Sequence, residues 1–445
     1  MEIQQISALV RPGCRRIARW IPILVLLAPA LLHAGSPVDG HPPATESADL
    51  LALMDQRLQL MEQVAAYKWL HELPIEDLER EDAVVQSSID AALDAGMTPA
   101  TAAAFFRAQI EAAKAVQAYW FSTWQLEGAP RRAPDLVSDT RPRLLRLGAD
   151  IIQAAGEAPR SAWATLPRAR FDAAVQTPGL DETARSTLYD AVRALEFFPN
   201  RLRQVMATGR LRVGTTGDYP PFSHAEPEGR EVGQGEAFAG IDIDLARDLA
   251  SSLGVEAVLV RTTWPSLLDD LQAGRYDIAM SGVSRTLARQ RVGFLSPPYY
   301  VGGKTPIARC EQASAFDSLE KIDRQGVRII VNPGGTNEAF VRQHIRQAAV
   351  LVFPDNREIF RQIAAGQADV MITDRVEVML QTALHPTLCA TMDGNLNYQE
   401  KAFLMPQDPV WSEYVATWLS LRQADGTMAE IFRHHGVPPS SNDPR

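Results

Sequence analysis

Two matching stretches decide the fold: Leu268-Asp-Asp-Leu-Gln-Ala-Gly-Arg-Tyr-Asp-Ile-Ala-Met-Ser281 and Phe360-Arg-Gln-Ile-Ala-Ala-Gly-Gln-Ala-Asp-Val-Met-Ile-Thr373. Both contain Ala-Gly-x-x-Asp before an apolar run, at a constant offset of 92 residues, which predicts a helix, a glycine stop and a buried strand in each copy. Such copies among other strand and helix patterns predict two similar α/β lobes with a cleft between them. The alternative is a chance match between two common helix-to-strand turns.

The chain before these lobes predicts helices. Residues 45 to about 200 contain no convincing strand pattern, whereas short apolar runs alternate with helical patterns from Leu211 onward. Helical patterns cover about 47–71, about 78–95 and a segment opened by Thr98-Pro99, and two more follow Pro142 and Asp181. We therefore predict a multidomain chain with these parts: an export signal at 1–34, an all-α helical domain at 35–205, a two-lobed α/β domain at 206–438 with its second lobe at about 305–400, and a tail at 439–445.

The first residues have the pattern of an export signal. A basic stretch up to Arg19 precedes an apolar run from Trp20 to Leu32, and small residues surround Ala34. The run is too short to span a bilayer, so cleavage near Ala34 and a periplasmic location are expected, without a membrane contact after the signal is removed. The alternative is an uncleaved membrane anchor.

Charge limits the classes of partner. The chain of 445 residues has 54 acidic and 44 basic residues, and without residues 1–34 its formal charge is −13. This surplus argues against nucleic acid or an anionic membrane as partner, so an anionic substrate needs a local cluster of cations. The eight histidines show no metal-ligand spacing, and neither a metal nor another cofactor is expected. A homo-oligomer is compatible with the sequence.

Two cations mark the first predicted helix. Arg57 and Lys68 are eleven residues apart, which is about three helical turns, and both lie on a face with Met61, Val64 and Ala65. An apolar stripe normally excludes charge unless an anion or a partner meets it, and the alternative is that both side chains extend to solvent. Gln117 interrupts a similar stripe on the third predicted helix.

Residues 45 to about 200 resemble an all-helical chorismate mutase of the secreted subclass, in Asp55-Gln-Arg-Leu, Val64-Ala-Ala-Tyr-Lys-Trp, Leu73-Pro-Ile-Glu-Asp and Arg80-Glu81. The resemblance implies that chorismate is bound by Arg57, Lys68, Arg80, Glu81, Gln117 and Arg141. Lys68 and Gln117 would be catalytic, because the breaking C–O bond polarises and its ether oxygen gains negative charge. Position 113, where relatives often have a hydroxyl, is Ala here.

The second part resembles the polar amino-acid solute-binding proteins over about 206–438, in Leu211-Arg-Val-Gly-Thr-Thr-Gly-Asp-Tyr-Pro-Pro-Phe222, Gly240-Ile-Asp-Ile-Asp-Leu245 and Ser281-Gly-Val-Ser-Arg-Thr-Leu-Ala-Arg289. The resemblance implies that Arg289 binds a ligand carboxylate with two parallel bonds. In a non-catalytic receptor Asp374 would pair with an ammonium.

A closer resemblance is to cyclohexadienyl dehydratase, in Trp264-Pro, Tyr276-Asp-Ile-Ala-Met-Ser-Gly-Val-Ser284, Gly303-Lys-Thr-Pro306, Val331-Asn-Pro-Gly-Gly-Thr-Asn-Glu338 and Leu388-Cys-Ala390. It implies that Glu338 is the catalytic acid, protonated because a closed apolar cleft raises its pKa. The alternative is a first-turn glutamate that completes a helix cap with Thr336. The remaining substrate-binding residues would be Tyr219, Trp264, Ser284, Arg289, Lys304, Thr336, Asn337 and Asp374.

Together the resemblances imply an exported bifunctional enzyme of phenylalanine biosynthesis. It would convert chorismate to prephenate and then prephenate to phenylpyruvate, with arogenate to phenylalanine as a parallel reaction. The alternative is a mutase fused to a non-catalytic amino-acid receptor. Cys310 and Cys389 both lie in the predicted second lobe, and an oxidising compartment permits a disulfide between them. Two buried thiols are the alternative.

Overall fold

The computed structural model describes residues 49–128, 130–157, 162–225 and 237–438. The predicted export signal and tail lie outside the described residues. The helices before the first strand are α1 (Leu50–Gln59), α2 (Met61–Leu70), α3 (Leu78–Asp94), α4 (Pro99–Glu127), α5 (Arg141–Glu157), α6 (Arg168–Ala174), α7 (Glu182–Arg193) and α8 (Arg201–Thr208). A π-helical turn, Leu136–Thr140, leads directly into α5.

Side-chain caps explain where several of these helices begin. Asp77 accepts the backbone N–H of Arg80 at 3.2 Å, and Glu81 accepts the N–H of Asp77 at 3.0 Å. Asp77 and Glu81 thus satisfy each other's end of the first turn of α3, and the helix begins there. Asp181 caps α7 by accepting the N–H of Ala184. The first predicted helix is interrupted at Leu60, which separates α1 from α2.

The helical unit has its own core around α4. This helix packs against α2, α3 and α7. Phe105, Ala112 and Val116 of α4 are fully buried in a cluster that also includes Leu51 and Phe171. Buried residues on several faces of α4 make it the centre of the unit. Among the described helices, none combines the length and the apolar character that a bilayer crossing needs.

Two five-stranded sheets follow. The first has the order β5-β1-β6-β15-β7, and the second has the order β11-β10-β12-β9-β13. Their strands, with two small sheets between them, are β1 (Arg210–Thr215), β2 (Asp218–Tyr219), β3 (Ser223–Ala225), β4 (Phe238–Ala239), β5 (Glu256–Arg261), β6 (Ile278–Ala279), β7 (Phe294–Leu295), β8 (Tyr300–Gly302), β9 (Lys304–Arg309), β10 (Arg328–Val331), β11 (Ala349–Val352), β12 (Val370–Asp374), β13 (Leu388–Ala390), β14 (Gln399–Lys401) and β15 (Leu404–Met405).

Helices surround these sheets. They are α9 (Ile241–Leu253), α10 (Leu267–Gln272), α11 (Leu287–Val292), α12 (Leu319–Ile322), α13 (Thr336–His344), α14 (Ile359–Ala364), α15 (Arg375–Leu384), α16 (Pro409–Ala424) and α17 (Thr427–His434). β8 and β14 pair antiparallel where the chain passes between the two sheets and returns. Two crossing strands of this kind are suited to act as a hinge between lobes.

The sequence repeat occupies equivalent places in the two lobes. The first copy forms α10 and β6, the second forms α14 and β12, and each of these strands is the third in its sheet. Gly274 and Gly366, which end the two helices, have positive φ values of 66° and 72°. The prediction of two similar α/β lobes is therefore confirmed.

The aspartate of the repeat has the same contacts in both copies. Asp277 accepts the backbone N–H of Arg212 at 2.8 Å and its guanidinium at 2.7 Å. Asp369 accepts the N–H of Arg328 at 2.9 Å and its guanidinium at 2.6 Å. The repeat thus contains the carboxylate that ties each strand to its neighbour.

A disulfide joins Cys310 to Cys389 in the second lobe across a sequence separation of 79 residues. Because it closes a long loop in the unfolded chain, we expect it to add about 2–4 kcal/mol to the free energy of unfolding. Urea denaturation with and without reductant measures the difference. The double variant Cys310→Ser with Cys389→Ser is the control that should not respond to reductant. Equal midpoints for the oxidised and reduced wild type would contradict the expectation.

Two candidate active sites

A cavity of about 460 Å³ opens inside the helical unit. Side chains of α1 to α5 line it, so the elements that build the helical core also position its polar residues. It brings together the six residues that the mutase resemblance implied: Arg57, Lys68, Arg80, Glu81, Gln117 and Arg141. Four of the six are cations, as an anionic ligand requires in a chain with a negative net charge.

Arg57 has an unsatisfied donor at this cavity. Its Nη1 atom is shielded from solvent and has no hydrogen-bond partner among the residues that the structure describes. Burial lowers the pKa of Arg57 to about 10. A shielded guanidinium N–H without a partner is costly, and a ligand carboxylate in the cavity would satisfy it.

Two glutamine amides face the cavity from α4. Gln117 donates from Nε2 to the carbonyl of Ala113 at 3.1 Å, and its Oε1 atom has no partner within the described part of the chain. Gln109 is 3% exposed, and its Nε2 atom likewise has no partner there. Gln109 was not predicted from the sequence, although it precedes Gln117 by eight residues on the same helical stripe.

Lys68 and Glu81 of the cavity have protein partners. Lys68 donates to the carbonyl of Ile75 at 2.6 Å. Burial lowers the pKa of Lys68, and the charges of Asp77 and Glu81 oppose this effect. Glu81 forms an ion pair with Lys114 at 3.2 Å, so its carboxylate is held at the cavity wall.

The second candidate site lies in the cleft between the lobes. Seven residues from the dehydratase resemblance line it: Tyr219, Trp264, Ser284, Arg289, Thr336, Asn337 and Asp374. Asn332, Asn356 and Lys401 were not predicted and also line it. The cavity measures about 20 Å³, room for about one water, so a ligand requires the lobes to part around β8 and β14.

Arg289 is buried on the first-lobe side of the cleft. Thr286 caps α11 by accepting the backbone N–H of Arg289 at 3.2 Å. This bond fixes the start of the helix that carries Arg289. Its Nη1 donates to the carbonyl of Ser284 at 2.7 Å, and the group lies 5.9 Å from the ring centroid of Trp264. Burial lowers the pKa of Arg289 to about 10, against the opposing charge of Asp374. This group suits a ligand carboxylate.

Asp374, at the end of β12, is already paired. It accepts bonds from Lys304 at 2.8 Å, from Lys401 at 2.5 Å and from the hydroxyl of Tyr219. Burial alone would raise the pKa of Asp374, but the two lysines outweigh burial and hold it below its usual range. Lys304 lies behind the cleft wall, where it also donates to Thr336 and Asn337.

Glu338 does not have the environment that its predicted role requires. Its carboxylate accepts the backbone N–H of Gly334 at 2.7 Å and pairs with Arg342 at 2.6 Å. The Gly334 bond, together with Arg342 and against a smaller effect of burial, lowers the pKa of Glu338. Glu338 is therefore an ionised first-turn residue of α13, without the burial and the raised pKa that we expected for it.

Glu377 has the environment that we expected for Glu338. It lies in the first turn of α15, three residues after Asp374, and is 0% exposed. It accepts bonds from Thr373 and, at 3.5 Å, from the cleft residue Asn356. Burial raises the pKa of Glu377 to about 8; Thr373 opposes this shift and the charge of Asp374 adds to it. The sequence signal was an acid one helical turn after the end of a strand.

The fold and the cleft define a solute-binding protein. Residues 211–437 match the family model of bacterial extracellular solute-binding proteins, family 3, which covers half of the chain, and the chain belongs to this family. Residues 47–118 match the model of chorismate mutase type II. Family membership is consistent with an exported protein.

Individual relatives match the second half of the chain. Cyclohexadienyl dehydratase of Pseudomonas aeruginosa is 45% identical over 245 residues, which is 55% of this chain and 89% of that protein. The L-cystine-binding protein TcyJ of Escherichia coli is 25% identical over 231 residues, 52% of this chain and 84% of that protein. The crystal structure of an ancestral amino acid-binding protein, described as a precursor of cyclohexadienyl dehydratase, is 31% identical with a TM-score of 0.48, covering 52% of this chain and 98% of that one.

Proposed function

We propose that the chain is a bifunctional enzyme of phenylalanine biosynthesis. The helical unit converts chorismate to prephenate, and the two-lobed unit converts prephenate to phenylpyruvate, with arogenate to phenylalanine as a parallel reaction. One observation carries the proposal: a chorismate mutase match precedes a domain 45% identical to a cyclohexadienyl dehydratase, so that the product of one unit is the substrate of the next. We also propose that the protein works in the periplasm after cleavage near Ala34.

The mutase reaction needs positioning and charge stabilisation alone. Chorismate is a dicarboxylate that rearranges within one molecule, so no nucleophile and no proton transfer are required. Arg57 offers its unsatisfied N–H to one carboxylate, while Arg80 and Arg141 supply further positive charge at the cavity wall. Lys68 and Gln117 stabilise the charge that develops on the ether oxygen, once the Gln117 amide turns from the Ala113 carbonyl.

Gln109 compensates for the missing hydroxyl at position 113. It precedes Ala113 by one turn of α4 and has a shielded amide nitrogen without a partner among the described residues. A substrate carboxylate or hydroxyl at this edge of the cavity would accept from that nitrogen. Glu81, held by Lys114, remains the acceptor for the substrate's ring hydroxyl.

The dehydratase reaction needs a proton for the leaving hydroxide. Glu377 carries that proton at neutral pH, because burial raises its pKa to about 8. Glu377 is fully buried behind Asn356 and outside the cleft lining, so the lobes must part and the Asn356 side chain must move before the carboxyl proton reaches the substrate. As the C–O bond of prephenate then breaks, this proton moves to the departing oxygen, which leaves as water. The electron pair of the bond to the ring carboxylate moves into the ring, CO2 departs and the ring becomes aromatic. Arg289 binds the pyruvyl carboxylate, while the side chains of Trp264 and Tyr219 pack against the ring of prephenate.

Product identification with the whole chain and chorismate tests the proposal. We expect chorismate to be consumed and phenylpyruvate to accumulate, with prephenate as a transient intermediate, because both sites lie in one chain. Ultraviolet absorbance follows chorismate and phenylpyruvate, and chromatography identifies prephenate. Conversion that stops at prephenate, together with binding of an amino acid to the cleft, would favour a mutase fused to a receptor.

A further inference from the structure

The cleft has more positive than negative charge. Arg289, Lys401 and Lys304 are 7%, 4% and 0% exposed, and Asp374 is the one carboxylate among the described residues that line the cleft. Glu377, behind Asn356, is protonated at neutral pH because its pKa is raised to about 8. Within the lining, two cations against one anion leave a positive surplus, and Lys304 adds to it from behind the wall; a buried surplus of this kind attracts an anion.

The two lysines differ in the donors that they have left. An ammonium group has three N–H donors. Lys304 uses all three, on Thr336, Asn337 and Asp374. Lys401 bonds to Ser284 at 3.0 Å and Asp374 at 2.5 Å, so among the described residues it has one donor left, and it lines the cleft.

The same contacts disfavour a ligand ammonium. Both oxygens of Asp374 are occupied, one by Lys304 and the other by Lys401 and Tyr219. A third ammonium would displace a buried lysine or lie beside two like charges without an anion of its own. Burial lowers the pKa of Lys401 against the charge of Asp374, so another cation lowers this pKa further whereas a carboxylate raises it.

We propose that Lys401 is a specificity-determining residue of the cleft, whose third N–H donates to the 2-oxo oxygen of prephenate and which selects this 2-oxo dianion over arogenate, its 2-amino counterpart. The proposal rests on the proposed dehydratase function. Prephenate has two carboxylates, which suit the positive charge in and behind the cleft wall, and its oxo oxygen is an acceptor. Arogenate has the same carboxylates and adds an ammonium at the position where the cleft offers a donor.

The ratio of kcat/KM for prephenate to kcat/KM for arogenate measures this preference in the full chain. We expect a wild-type ratio of about 10 or more. Arogenate loses a charge-assisted bond and gains a contact between like charges, which together should lower its kcat/KM at least about tenfold relative to prephenate. Lys401→Met should lower the ratio about tenfold, mainly through a loss of prephenate turnover. Lys401→Arg keeps the charge and should restore part of the preference.

Arg285→Gln is the matched control, because it removes one positive charge beside the hinge, where Arg285 pairs with Glu400 outside the cleft lining. It should leave the ratio unchanged. Calorimetric binding of phenylpyruvate and L-phenylalanine to the wild type provides a measurement that does not depend on a variant. These ligands differ at the α-substituent, and we expect the oxo acid to bind about tenfold more tightly.

The outcomes separate the two proposals. A wild type that turns over neither prephenate nor arogenate overturns the dehydratase function itself. A wild type that uses both substrates equally well, or a folded Lys401→Met variant with an unchanged ratio, overturns the role of Lys401 and leaves the dehydratase function standing. Tighter binding of phenylalanine than of phenylpyruvate also overturns this role.

Discussion

The variant Glu377→Gln should lose prephenate turnover by about 100- to 10,000-fold, the usual contribution of a general acid. The amide has nearly the same shape and can still bond to Thr373 and Asn356, but it cannot deliver a proton to the leaving hydroxide. The fold should hold, since an uncharged carboxylic acid is exchanged for an uncharged amide. Release of phenylpyruvate from added prephenate measures the effect.

Glu338→Gln is the control for this prediction. Its carboxylate caps α13 and pairs with the exposed Arg342. The change should therefore lower the free energy of unfolding slightly and leave turnover within about threefold of the wild type. A Glu338→Gln variant that is folded and inactive, beside an active Glu377→Gln variant, would reverse our assignment of the acid.

The pH dependence of kcat/KM for prephenate adds an independent readout. The acid form of Glu377 is the active one, and its pKa is raised to about 8. Activity should therefore be level below this pH and fall by about a factor of ten for each pH unit above it. A rate that rises through pH 8 would contradict a general acid at this position.

The fold followed from local signals because each signal has a local cause. The glycines that stop the two helices and the aspartates that precede the two strands are adjacent to those elements in the sequence, so the repeat predicted two lobes. The arginines that these aspartates contact lie 65 and 41 residues away, and the repeat did not predict those contacts. The interruption at Leu60 and the short helix α6 were not predicted. α2 packs against α4 and α6 packs against α1, and the pattern of one segment does not contain these contacts.

The site residues show the same division. Arg57 and Lys68 line one cavity, as their spacing in the sequence predicted, although they lie on α1 and α2, on either side of the interruption at Leu60. Glu338 and Glu377 are both first-turn acids, and only their tertiary surroundings separate an ionised cap from a buried acid. Lys401 lies in the returning hinge strand, where its contact with Asp374 is set by the pairing of β14 with β8.

The largest effect on the helical unit is expected for Arg57→Ala. Loss of a bidentate, charge-assisted contact to a substrate carboxylate should lower kcat/KM for chorismate by about 100- to 10,000-fold, at about 1.5–3 kcal/mol for each bond. The fold should tolerate the change, because Arg57 has an unsatisfied buried N–H and its removal relieves a desolvated charge. Chorismate consumption and the thermal midpoint are measured on the same preparation.

Prephenate turnover by that same preparation decides whether the two sites are separate. The helical core spans buried residues from Leu50 to Leu195, and the first-lobe core begins at Val205, so a change at Arg57 does not reach the cleft through shared packing. We expect Arg57→Ala and Lys68→Ala to keep wild-type dehydratase rates, and Arg107→Ala, an exposed position of α4, to keep both activities. A folded Arg57→Ala variant that loses both activities together would show that chorismate and prephenate share one site, because no packing defect confined to the helical unit can remove a proton donor from the cleft.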